Sequence, residues 1–495
     1  MSSLDREKDP KINKGGKKTL YSKKKMIHIL LGPVIFILCV LLLPDIFPTS
    51  GAQAIGIGLW MIFWWITRPV HITVTAFIPV IANAFLNMAE MDPIISQYSS
   101  PAIILVLGSQ LIIIPWALVG LDKRVALKIL SVVGPSMKSQ ITVWLLASIL
   151  LSTVLPNVAV TALFCPIAIS MLAAAGYHHI PSAEPAVPIL LSIAFGVSLG
   201  GAGTPLGGAM NQAAISALEE FTGNEFMYVD WIIRVTPYLI IASLVLLACM
   251  LALPLKVKKL EGTKDFFKTS YNSLGTINRD EKICASLFII GLILAFTRPL
   301  YADLLPAAAP PYIFLTIGFI SFFITTVDKG FLLTWERAQK GTMWGMMILF
   351  AGGLALGKLI NTSGASTSIG EIFSILPLDG GLITIIALVV FVRAIAEATT
   401  GTTAAAIMAP IILQLTTNIG LNPIPYWFIT VMAYNEEFLL PVSVRAIPVG
   451  YGLDAKRMLK PGIPFTIINM IVIIIFGYLA VKFFPGYGDL PYLFN

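Results

Sequence analysis

Apolar residues fill long blocks of this chain from about residue 26 to about residue 479, and only short polar or Gly/Pro-containing breaks separate them. Blocks near 26–43, 52–66, 71–87, 101–119, 231–254, 283–297, 311–326, 343–360 and 461–480 approach the ~20 apolar residues that cross ~30 Å of hydrocarbon. They predict an all-α polytopic membrane protein with room for roughly ten to twelve spans or half-spans. Other blocks come in pairs around a polar break. Arms at 140–155 and 159–175 flank Pro156-Asn157-Val158, and arms at 382–398 and 403–419 flank Thr400-Gly401-Thr402. Each pair reads as a re-entrant hairpin that enters and returns on one side, over about 140–175 and about 382–419.

Two further interruptions follow the hairpins. Gly200-Gly201-Ala202-Gly203-Thr204-Pro205-Leu206-Gly207-Gly208 breaks a helix over about 187–218, and Leu440-Pro441-Val442-Ser443-Val444-Arg445-Ala446-Ile447-Pro448-Val449-Gly450 breaks one over about 424–452. The halves also repeat: Pro156-Asn157-Val158 reaches Pro166-Ile167 through small and apolar residues, and Thr400-Gly401-Thr402 reaches Pro410-Ile411 at a constant offset of 244. Backbone groups freed by such breaks lose their partners in lipid, so breaks persist where they line a wet cavity. Paired breaks at matching places in two halves point to a transporter site near the midplane. Helix N-termini after the breaks offer unpaired N–H groups and a positive dipole end, which suits a carboxylate or sulfate.

Composition agrees with the pattern. The 495 residues are 57% hydrophobic and 12% charged, too apolar for an ordinary soluble globule. The net charge of +7 is concentrated in a basic tail over 1–25, with a second basic stretch over 255–282. Both are expected in the cytoplasm, which puts the N-terminus inside and the short acidic C-terminal end outside. The tail lacks the interleaved aromatics of a nucleic-acid binder and reads as a topology anchor at the lipid surface. The basic amphipathic stretch from Asp122 to Lys128 is expected to lie in the interface. These features divide the chain into the tail, a first half over 26–254, the loop over 255–282 and a second half over 283–495.

The four cysteines and four histidines are scattered without ligand spacing, so neither a metal centre, a disulfide framework nor a cofactor is expected. No nucleophile and base pair sits at the breaks, which argues against an enzyme. An anion channel would also use helix N-termini and an arginine, but hairpins closing on a central site fit alternating access better.

At the breaks the chain resembles the divalent-anion/sodium symporter family, carriers of succinate, malate, citrate and, in some members, sulfate. Its signatures are a Ser-Asn-Thr tripeptide at each hairpin tip followed by small residues and Pro-Ile or Pro-Leu. Further likeness lies in Ile348-Leu349-Phe350-Ala351-Gly352-Gly353-Leu354-Ala355-Leu356, in Ser363-Gly364, in Glu397 with Thr399 before the second tripeptide, and in the run from Gly450-Tyr451-Gly452 to Pro461-Gly462. The resemblance covers most of the chain from about residue 50. It implies about eleven spans plus two re-entrant hairpins in inverted-repeat halves, a homodimer, and an elevator-like movement of a transport domain. It places substrate at Pro156, Asn157 and Val158, at Gly203 and Thr204, at Thr400, Gly401 and Thr402, and at Ser443, Val444 and Arg445. Sodium would sit near Asn157, Gly201, Thr399 and Gly401.

Departures from that pattern set the expected mechanism. The first tripeptide lacks both hydroxyls, at Pro156 and Val158, and the second lacks its Asn, at Gly401. Hard cations need several oxygen ligands, so these sodium sites are expected to be vestigial. Where the family shows Ala-Thr-Pro-Pro-Asn, the second break has Glu436 and Glu437 before it and Arg445 within it; the first-half counterpart keeps Asn211. Charges at membrane depth each cost roughly 2.5–3.5 kcal/mol on insertion scales and imply a role. Arg445 would face the substrate as a built-in counter-charge. Glu436 or Glu437 would pair with it or carry a proton, and Arg393 and Glu397, one turn apart, would pair with each other. The expected function is therefore sodium-independent exchange of dicarboxylates such as malate, succinate or 2-oxoglutarate in a bacterial inner membrane, with sodium-coupled dicarboxylate or sulfate symport as the alternative.

Overall fold

A computed structural model describes residues 23–368, 378–440 and 443–490. Most of the basic tail lies outside the described residues. Among them the chain is helical throughout, with only two isolated β-bridges, Ser136 to Lys259 and Thr325 to Phe331. Among the described residues six helices are long and apolar enough to cross a membrane: Lys25–Leu42, Met91–Val119, Asn157–Ala174, Tyr228–Leu251, Trp344–Thr362 and Ala455–Phe483. Shorter apolar helices include Met137–Ser152 and Ala186–Gly200, which lead into the first-half breaks, and Pro310–Ile320, which falls short of the span expected over 311–326.

Both hairpins form. The first is Met137–Ser152 with Asn157–Ala174, the second Leu382–Ala398 with Gly401–Asn418. The second arms, Asn157–Ala174 and Gly401–Asn418, begin and end at the same 244-residue offset that the sequence repeat shows. Pro166 and Pro410 lie inside these arms, where each removes one backbone hydrogen bond and favours a bend. The broken helices follow as Ala186–Gly200 with Ala209–Thr222, and as Pro423–Asn435 with a short turn at Ala446–Gly450.

Small residues let these elements meet backbone to backbone. Gly196 and Gly200, one turn apart, lie against the carbonyls of Leu145 and Ile149 on the first hairpin, leaving no room for a Cβ. This is the small-residue seam that close helix packing in membranes requires. The two halves also exchange contacts. Gly108 in the first half abuts the backbone of Phe314 and Leu315, while Gly352, 244 residues later, abuts Ala76.

The basic stretch 255–282 is folded. Helix Thr263–Asn272 buries Phe267, whose ring meets Trp144 of the first hairpin edge-on at 6.0 Å. Gln140 joins the two by donating to the Thr263 hydroxyl at 3.1 Å. The helix Leu121–Leu130 is pinned to the same segment by Arg124, which is 8% exposed. Its guanidinium donates to Glu281 at 2.7 Å and to the carbonyls of Gly275 and Leu274 at 2.8 and 2.9 Å. Glu281 is itself fixed by a capping box with Asn278. Removing one partner of a buried pair leaves the other uncompensated. Arg124→Ala is therefore expected to lower unfolding stability by about 3 kcal/mol, the low end for such pairs because Arg124 keeps some exposure. Thermal unfolding in detergent measures it; an unchanged midpoint contradicts the assignment.

Candidate anion-binding site

The hairpin tips face each other across a cavity of about 80 Å³. Three helices start at its edge: Asn157–Ala174 at the first tip, Ala209–Thr222 after the first break, and Gly401–Asn418 at the second tip. Local sequence dictates each start. Pro156 has no N–H to satisfy and sits extended at the N-cap, so the helix begins at Asn157. Gly208, extended, precedes Ala209. Thr400, also extended, accepts a hydrogen bond from the Thr403 N–H at 3.2 Å. Three N-termini aimed at one cavity sum their partial positive charges and present first-turn N–H groups, an arrangement that receives an anion.

Of the residues expected at the site, Pro156, Asn157, Val158, Gly401, Thr402 and Val444 line the cavity. Gly203 and Thr204 do not. Thr204 donates its hydroxyl to the Thr153 carbonyl and Gly203 packs against the Thr153 side chain, so both shape the turn behind the cavity. The Thr400 hydroxyl is engaged in its own helix cap, bonded to the Thr403 hydroxyl at 3.0 Å. The side chain of Ser443, and Pro441 and Val442 altogether, lie outside the described residues.

The first break is rich in oxygen. Ser152, one turn before the tip, has the Asn157 side-chain oxygen and the Val197 carbonyl both within reach of its single hydroxyl hydrogen. Around Gly207 the carbonyl oxygens of Ser152, Gly201 and Thr153 converge, standing 2.5, 2.7 and 3.1 Å from where a Cβ on that glycine would be. Asn211 braces the turn by donating to the Gly201 and Thr204 carbonyls at 2.7 and 2.8 Å, and Asn435 of the second half donates to Asn211 at 2.9 Å. Ser152 therefore puts a hydroxyl beside Asn157, next to a tripeptide whose other two positions have none. A serine just before the break was the available signal.

At the second break the expected roles change. Arg445 is fully buried and does not line the cavity. It donates to Glu437 at 2.6 Å and to Glu397 at 3.1 Å, so two carboxylates already share its charge. Glu397 also accepts from the Phe438 and Leu439 N–H groups at 2.8 and 3.3 Å. It pairs with Arg445 and not with Arg393, which instead bonds Asn469. Glu436 accepts from the Tyr238 hydroxyl at 2.6 Å and from Asn469, facing away from Arg445. The helix ends at Asn435, and the non-helical backbone of Glu436 sends adjacent glutamates to different neighbours. Glu437, not Arg445, reaches the cavity.

The far wall is formed by Val106, Ser109, Gln110, Met343 and Met346, none of which the sequence motifs singled out. A wider opening of about 1020 Å³ runs from Pro156 and Val158 along the first hairpin to Lys123, Arg337, Lys340 and the loop helix residues Phe266 and Ser270.

Known carriers resemble this chain over most of its length. The profile of the citrate transporter family matches residues 62–433. The sodium-dependent dicarboxylate transporter SdcS of Staphylococcus saprophyticus is 26% identical over 479 residues, covering 93% of this chain and 92% of that protein. SdcS of Staphylococcus aureus is 27% identical over 495 residues, covering 96% and 95%. The solved YdaH transporter of Alcanivorax borkumensis superposes at a TM-score of 0.42 and 11% identity over 79% of this chain and 88% of that one, a likeness too distant to bear on the site.

Proposed function

We propose that this chain, which belongs to the citrate transporter family, carries a small di- or tricarboxylate across the membrane together with sodium. The observation that carries the reading is the convergence of three helix N-termini on one cavity, a donor-rich seat for a carboxylate anion. Sodium coupling is supported by relatives described as sodium-dependent dicarboxylate transporters. It is also supported by the oxygens gathered at the first break, where Asn157, Ser152 and the carbonyls of Ser152, Thr153 and Gly201 supply the kind of ligands a hard cation takes.

Sodium-independent exchange rested on two expectations, and neither has support in the site. Ser152 puts a hydroxyl beside Asn157 of the first tripeptide. Arg445 is neutralised by Glu397 and Glu437 and stands behind the cavity. The wide opening ends among Lys123, Arg337, Lys340 and the folded basic segment, which the positive-inside rule puts in the cytoplasm. We read the structure as open inward, with the hairpins and broken helices moving as a unit against the far wall, in a homodimer as the family resemblance implies.

Proteoliposomes with empty interiors test the coupling. An inward sodium gradient is expected to drive accumulation of labelled succinate or malate, and equimolar potassium is not. Uptake that ignores sodium and appears only with dicarboxylate preloaded inside would restore exchange.

A further inference from the structure

The cavity receives hydrogen-bond donors from three helix starts, but from the second break it receives acceptors. Asn435 spends its amide N–H groups on Asn211 and on the Val431 carbonyl, both at 2.9 Å, leaving Oδ1 without a partner. Glu437 gives Oε2 to Arg445, while its Oε1 lies against the Gly401 N–H without a well-aligned bond to it and keeps acceptor capacity to spare. Glu437 is 5% exposed, yet it lines the cavity and is the one ionisable side chain among the described residues that do.

An ionised dicarboxylate supplies only acceptors, so its carboxylates satisfy the N-termini but leave the Asn435 oxygen without a donor and Glu437 Oε1 with nothing beyond the poorly aligned Gly401 N–H. A buried acceptor without a donor is a lasting penalty, and for a charged group it is larger. Building on the dicarboxylate reading, we propose that Glu437 is a specificity-determining residue whose Oε1 accepts a hydrogen bond from a hydroxyl on the substrate, so that the carrier selects 2-hydroxy di- and tricarboxylates over their unsubstituted counterparts.

Two features fit Glu437 to this task. It is held still: Arg445 anchors Oε2, and Arg445 is anchored in turn by Glu397, which two backbone N–H groups fix. It is also placed beside a carboxylate seat: Oε1 stands 3.1 Å from where a Cβ on Gly401 would be, at the start of helix Gly401–Asn418. A hydroxyl on the carbon next to a carboxylate seated at that start falls within reach of Oε1. The bond is charge-assisted. A site built to bond a hydroxyl rejects the analogue without one, because its own polar group is left unpaired.

Competition against sodium-driven uptake in proteoliposomes provides the test, with two pairs that differ in one hydroxyl: malate with succinate, and citrate with tricarballylate. The hydroxylated member of each pair is expected to compete about 10- to 100-fold more strongly. In Glu437→Gln, Arg445 can only donate and so retains the amide oxygen; the amide N–H then faces the cavity, and the preference falls to near unity. Glu437→Asp keeps the charge but withdraws the acceptor, and it is expected to lose the preference likewise should the amide variant not fold. Equal competition by succinate and malate in the native protein overturns the inference, as does a variant that loses sodium dependence while keeping the native ratio. Absence of uptake for all four anions would instead count against the transport reading itself.

Discussion

Arg445→Ala is expected to collapse the folded carrier, not merely to silence it. Removing the guanidinium leaves Glu397 and Glu437 facing each other without their bonded cation at a fully buried position, with only the more distant Arg393 to offset them. Stranding a buried charge in this way costs about 3–5 kcal/mol, a large part of the 5–15 kcal/mol that holds a typical fold. Expression as a monodisperse species in detergent should fall sharply, and the remaining protein should melt early. Adding Glu437→Gln to Arg445→Ala removes one of the stranded charges and is expected to recover part of the loss. A monodisperse Arg445→Ala protein with native melting and no transport would return Arg445 to the substrate.

Gly207→Ala is expected to abolish sodium-driven uptake while its neighbour Gly208→Ala is tolerated. The added methyl at Gly207 would stand 2.5 and 2.7 Å from the Ser152 and Gly201 carbonyl oxygens, both fixed by backbone. The oxygens must separate, and displacements near 1 Å in positioned sites cost about 100-fold. At Gly208 the nearest atom is the Met210 sulfur at 2.5 Å, on a flexible side chain, with oxygens no nearer than 3.4 Å. Uptake kinetics of the two variants over a range of sodium concentrations compare them. Equal activity would remove the first break from cation binding.

The parts of this molecule written in local chemistry were legible in the sequence. Pro156-Asn157-Val158 and Thr400-Gly401-Thr402 mark helix starts because proline lacks an N–H and threonine caps, and the 244-residue repeat carries through to both ends of the second arms. Partner choice among buried charges was not legible. Arg393 and Glu397 lie one turn apart, yet each is claimed by a residue distant in sequence, Asn469 and Arg445. Past Asn435 the helical period is lost, so nothing in the order Glu436, Glu437 says which glutamate reaches the cavity. Ser152 was not legible either, because its contact with Asn157 exists only once the chain turns back at the tip. The stretch 255–282 was read by its charge, whereas Phe267 and the Asn278 and Glu281 cap give it structure.

The exchange of glycine contacts between the halves has a consequence for how the protein is made. The face of helix Pro101–Val119 around Gly108 is closed by Phe314 and Leu315, which leave the ribosome roughly 200 residues later. At about 5–20 residues per second that is about 10–40 s of synthesis. Throughout that interval a notched, close-packing surface sits in the bilayer without its mate, open to lipid, to other nascent chains and to membrane quality control. The first half is thus inserted long before it is assembled, and the pace of translation through residue 315 sets how long it waits.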